Sequence, residues 1–141
     1  MVQLTFAEQL ANVWSEFGFI RWPLTFSLFA VVGLGLMSAA TLFGRNAVAG
    51  LVAKTWVDAI LFWGGFAAIS GMLGSIVGTI IAFQSIEAAG EVSATLIAGG
   101  IKVALISSSF GVLILGFAAL LWFVLQFRWR LLQAAESEAA L

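Results

Sequence analysis

Three stretches of this chain contain no Lys, Arg, Asp or Glu: residues 23–43, 59–83 and 103–127. Each is long enough to carry an α-helix across a bilayer, which takes roughly 20 apolar residues at ~1.5 Å each. Lipid offers a polar backbone no partner, so such a run has to satisfy its own amides as a helix. The chain is 62% hydrophobic and 9% charged, which excludes a soluble globule. The sequence therefore predicts an all-α integral membrane protein with three transmembrane helices. Pro23 opens the first of them, at a position suited to a helix's first turn.

Residues 1–22 follow another pattern. Phe6, Leu10, Val13, Phe17 and Ile20 recur at spacings of four and three, with Gln3, Glu8, Gln9, Asn12, Ser15 and Glu16 mostly elsewhere on the wheel. This predicts an amphipathic helix in the interface plane, with Trp14 and Trp22 at headgroup level. A signal peptide is the competing reading, and it lacks a basic n-region and a small-residue cleavage site. The remaining segments are a short cytoplasmic loop at 44–58, an outer loop at 84–102 and a tail at 128–141, which is expected to extend the third helix past the bilayer and then fray. Arg45, Lys54, Arg128 and Arg130 flank one side of the spans, against Arg21 and Lys102 on the other. That bias places the C-terminus in the cytoplasm and the N-terminus outside.

Several function classes fall away on composition. Cysteine, histidine and tyrosine are absent, so thiol chemistry, the commonest metal ligand and the usual proton shuttle are missing. The acids sit at the edges of the spans and not in pairs within them, which argues against an enzyme. No metal or other cofactor is expected. A net charge of −1 provides no basic surface for nucleic acid.

What the spans do contain is small residues in register. Gly64, Gly71 and Gly78 recur every seven residues in the second span, as do Ala68, Ser75 and Ala82, with Ala67 and Gly74 among them. The third helix repeats the design with Gly100, Ala104, Ser107, Ser108, Gly111 and Ala118. Such faces let helices approach closely in lipid, and a seven-residue period favours a left-handed, near-parallel bundle. Plain helix packing accounts for most membrane glycines. Two long stripes nevertheless exceed what three helices easily bury, so a homo-oligomer is expected. Ser75 lies ~12 Å inside Phe83 and Ser108 ~8 Å inside Val103 at helical rise. Hydroxyls at matched depth on narrow faces, with Thr79 and Ser107 close by, point to a polar lining.

The runs GMLGSIVGTIIAFQSI and AGGIKVALISSSFGVLILGFAALLW resemble the MotA/TolQ/ExbB proton-channel family. GSIVG at residues 74–78 corresponds to the family's Gly-hydroxyl-X-X-Gly segment, with Ser75 in place of threonine. AGGI at residues 98–101 corresponds to its Ala-Pro-Gly-Ile segment, with Gly99 for proline, and Ser108 and Gly111 follow at the family's spacing. The large domain that relatives such as TolQ and ExbB carry between their first two helices is reduced here to about a dozen residues, and a family glutamate is Val103. The resemblance implies a pentamer in a bacterial inner membrane that encloses a single-span partner similar to ExbD, TolR or MotB. That partner carries an intramembrane aspartate, and ion flow past it does mechanical work.

The residues agree independently with that division of labour, since no span here contains a group that could hold a proton. The expected role is a stator-like channel wall, with Ser75, Ser108, Thr79 and Ser107 lining the ion path. Gly64, Gly71, Gly74, Gly78, Gly100, Ala104 and Gly111 form the close-packing face. Asp58, Glu87, Glu91 and Lys102 read as rim charges, and an acidic mouth would concentrate cations. The alternative is a non-conducting membrane scaffold that uses the same faces only for packing.

Overall fold

The computed structural model describes residues 20–44, 50–90 and 94–140. Three helices make it up: α1 (Arg21–Phe43), α2 (Leu51–Ala89) and α3 (Ala94–Ala139). All three are long and apolar enough to cross a membrane. The expected amphipathic helix falls outside the described residues, apart from its last three positions. Of these, Arg21 and Trp22 already belong to α1.

Pro23 sits in the first turn of α1, where a missing N–H leaves no intrahelical bond unmade. The hydroxyls of Thr25 and Ser27 donate back to the carbonyls of Arg21 and Pro23, at 2.5 and 2.7 Å. Such i−4 bonding lets a polar side chain sit in an apolar helix at little cost. α2 ends at Gly90, whose φ of 71° is open to glycine and strained for other residues, and whose N–H donates to the Ile86 carbonyl.

α2 and α3 run well past the uncharged stretches. The helix begins at Leu51, inside the segment read as the 44–58 loop, and both helices continue into 84–102 and 128–141. Charge sets where lipid ends; it does not end a helix. Among the described residues only Gly44, Gly50 and Gly90 interrupt the regular backbone near the connections.

The helices form an antiparallel hairpin with α1 laid along it. α2 and α3 make the most extensive contact, α1 lies against α2, and α1 touches α3 least. Leu24, Ser27, Val31, Gly35, Ser38 and Leu42 form the buried stripe of α1. Gly35 faces Leu121, and the ring of Phe26 meets Trp63 edge-on with centroids 5.1 Å apart. Phe62 and Phe66 complete that aromatic cluster. Trp63 is therefore a packing residue.

Candidate functional site

The contact between α2 and α3 is built on a fixed register. A Cβ placed on Gly64 would meet Ala118, one on Gly71 would meet Gly111, and one on Gly78 would meet Ala104. Gly100 faces Ala82 in the same way. Each step of seven along α2 is thus matched by a step of seven back along α3. The closest approach is at the centre. A Cβ on Gly71 would stand 2.7 Å from the Ser107 carbonyl oxygen, and one on Gly111 would stand 2.6 Å from that of Ala67. No side chain larger than hydrogen fits while the helices keep this separation.

The two stripes of small residues therefore cover each other within one chain. The burial of their central glycines does not by itself call for an oligomer. Gly64, Gly71, Gly74, Ala104 and Gly111 are all buried, while Gly78 and Gly100 are partly so.

Two hydroxyls cross between the helices at this seam, one in each direction. Ser75 Oγ donates to the Ala104 carbonyl at 2.5 Å, and Ser107 Oγ donates to the Gly71 carbonyl at 3.4 Å. They lie on opposite flanks. Ile20, at the start of α1, packs over Gly74 beside Ser107, and Ser107 is only 5% exposed. Ser75 is one residue on from Gly74 and so turned about 100° away, to the flank that α1 leaves uncovered. Thr79, one turn from Ser75, donates to the Ser75 carbonyl at 2.7 Å, and Ser108 is one turn from Ala104. Ser75, Thr79 and Ser108 are all half-buried. Three of the four expected lining residues thus share one flank, and Ser107 is enclosed on the other.

At the tail end of the same flank lies a polar cluster. Lys54 Nζ donates to both carboxylate oxygens of Asp58, at 2.5 and 2.6 Å, and Trp122 Nε1 donates to Asp58 Oδ1 across the helix pair at 3.1 Å. Trp129 Nε1 reaches the Gly50 carbonyl at 3.4 Å, and Lys54 stands 5.7 Å over the Trp129 ring. Asp58, read from sequence as a rim charge, is therefore tied to both helices. Trp122 lies two heptads along α3 from Ser108, so the serines and this cluster lie on one side of the hairpin. Glu87 and Lys102 are exposed near the other end, and Glu91 lies outside the described residues.

Sequence reading missed several buried polar groups. Ser27, Ser38, Ser70 and Gln126 are buried, and the Ser38 hydroxyl and the Gln126 carbonyl have no hydrogen-bond partner. Ser27 and Ser38 could have been found from their place on the period shared with Leu24, Val31, Gly35 and Leu42. Gln126 carried no such signal, because it stands at the boundary of an apolar run where an amide would ordinarily be wet. Among the described residues no group of His, Asp or Glu is placed to hold a metal ion.

Compared with known families, residues 53–137 match the MotA/TolQ/ExbB proton channel family. That span takes in nearly all of α2 and α3 and leaves α1 outside. Comparison with curated proteins and with solved structures finds no match.

Proposed function

Since the chain belongs to the MotA/TolQ/ExbB proton channel family, we propose that it is the channel-wall subunit of an ion-driven energy-coupling or motor complex in a bacterial inner membrane. It is a multi-pass membrane protein. In the proposed assembly, several copies, five on the family's pattern, turn the flank bearing Ser75, Thr79 and Ser108 toward a shared lumen. A single-span partner with a membrane aspartate occupies that lumen. The C-terminus faces the cytoplasm.

The observation that carries this reading is the sidedness of the α2–α3 hairpin. Its half-buried hydroxyls, Ser75, Thr79 and Ser108, lie on the flank that α1 does not cover, and the Asp58 cluster lies at the tail end of the same flank. The chemistry open to these groups is specific. The hydrogen of Ser75 is committed to the Ala104 carbonyl, so its oxygen is left to accept. An acceptor at that depth favours a protonated carboxyl or a water over a carboxylate. It would stabilise the neutral form of the partner's acid as it crosses the wall. Individual membrane hydrogen bonds of this kind contribute about 0.6 kcal/mol and rarely above ~1.7, too little to trap a carrier.

The test is proton or sodium flux in vesicles that contain the chain and its partner, before and after Ser75→Ala combined with Ser108→Ala. Loss of partner-dependent flux with the complex still assembled is expected. Undiminished flux would reject the lining role.

A second reading has an observation of its own. Because the central glycines of the small faces pack against each other within one chain, the family's seam can exist without any conduction. The chain would then be a scaffold, and the same vesicles would show no flux with any partner while the complex still formed.

A further inference from the structure

On the flank of α3 that bears Trp122, residues Trp122, Phe123, Gln126, Phe127 and Arg130 line a groove of about 130 Å³. Its walls are chemically divided. Three aromatic rings form the part that faces the uncharged stretch, which ends at Phe127. Arg130 stands one turn beyond Gln126, outside that stretch, and is exposed. Between the two sits Gln126, 8% exposed, with its side-chain carbonyl oxygen unpartnered and turned away from the surface. Trp122 is held in place by its bond to Asp58, so the wall is braced from α2.

An occupant must answer each of these features. The rings ask for apolar surface, and their place at the membrane boundary asks for an amphipathic molecule. A guanidinium presents its donors in a fork that matches phosphate oxygens. The orphaned amide oxygen lacks a donor where it is enclosed, and a turn of the Gln126 amide into the groove would bring it to an N–H or O–H beside that phosphate. A phospholipid with a donor in its headgroup meets all three requirements, and basic pockets beside membrane helices are known lipid sites. We infer that this groove binds a membrane phospholipid, with phosphate on Arg130, a headgroup ammonium or hydroxyl on the Gln126 amide turned outward to meet it, and glycerol and acyl carbons against Trp122, Phe123 and Phe127. The site needs neither a lumen nor an ion-carrying partner, so it stands or falls apart from the conduction reading.

The measurement is lipid retention by the purified full chain, delipidated in detergent and then offered phosphatidylethanolamine, phosphatidylglycerol or phosphatidylcholine with the same acyl chains. Bound lipid is counted by mass measurement of the intact protein. Choline keeps the phosphate and has no donor, so the first two lipids are expected to be retained about tenfold better, the worth of one good hydrogen bond in a dry site. Gln126→Leu should collapse that preference to within about twofold and leave phosphatidylcholine retention unchanged. Arg130→Gln should weaken all three, and Arg130→Lys should recover part of the loss. Equal retention of the three lipids by the unmodified chain would overturn the assignment. So would a preference that survives Gln126→Leu, or displacement of bound lipid by millimolar inorganic phosphate. Helix content and elution volume of each variant show that the hairpin is intact.

Discussion

Replacing Gly71 with alanine tests the seam where it is tightest. The added methyl would stand 2.7 Å from the Ser107 carbonyl oxygen and 3.1 Å from the Gly111 Cα. Both neighbours are backbone, so no side chain can swing aside. Reaching the 3.4 Å at which ordinary contact begins requires the helices to part by about 0.7 Å at this level. The Ser107 bond to the Gly71 carbonyl, already 3.4 Å long, would then be lost, and the Ser75 bond would stretch from 2.5 Å. Overpacking of this kind costs about 1–3 kcal/mol. The lost crossing bond adds about 0.6 kcal/mol.

Gly65 makes the control. It lies in the same helix, less than two turns away, and a Cβ there has nothing within 4 Å. Gly65→Ala removes the glycine penalty in the helix without a clash, so it should be neutral or stabilising by up to ~1 kcal/mol. The assay is equilibrium unfolding of the purified chain in mixed micelles, followed by helix content. A gap of about 2 kcal/mol or more between the two alanine variants is expected. If Gly71→Ala proves as stable as Gly65→Ala, the close α2–α3 register is wrong, and the flank assignment of Ser75 and Ser107 goes with it.

Three further substitutions probe the polar groups. Ser38→Ala removes a fully buried hydroxyl that has no partner, so stability in micelles should hold or rise by up to ~1 kcal/mol, whereas a fall above ~1 kcal/mol would show that the hydroxyl is bonded. Asp58→Asn breaks the ion pair with Lys54, and because the Asp58 side chain is 51% exposed the loss should stay below ~1 kcal/mol. Its clearer signature is spectroscopic: with Trp122 as the sole tryptophan, the emission should shift once the indole N–H loses its charged acceptor. Ser75→Ala alone should cost about 0.6 kcal/mol in unfolding and leave Ser107→Ala additive with it, since the two bonds lie on opposite flanks.

The three crossings could be read directly, because each apolar run is uncharged throughout and charge is what lipid excludes. The partnership of the second and third helices was also legible, since matched heptads of glycine and alanine leave few other ways to close the gap. Whether those faces meet within one chain or between chains was not. Spacing gives the direction of a side chain on its own helix and says nothing of which helix stands opposite. For the same reason Ser107 and Ser108, adjacent in sequence, looked equally suited to a lining. Only the position of α1 over Gly74 separates the enclosed one from the half-exposed one. The Asp58 bond to Trp122 joins residues far apart in the chain and had no local signature. The helical start at 51–58 was hidden because hydropathy marks the membrane and helix propensity does not depend on it.

α3 continues without a break for 46 residues, ~69 Å at helical rise, more than twice the hydrocarbon thickness it crosses. A continuous helix of that reach magnifies angle into travel. Pivoting by about 10° around Ser107, well within the tilts membrane helices adopt, would swing Ala139 sideways by ~8 Å. A change too slight to register at the serines would thus arrive beyond the bilayer as a stroke close to the spacing of packed helices.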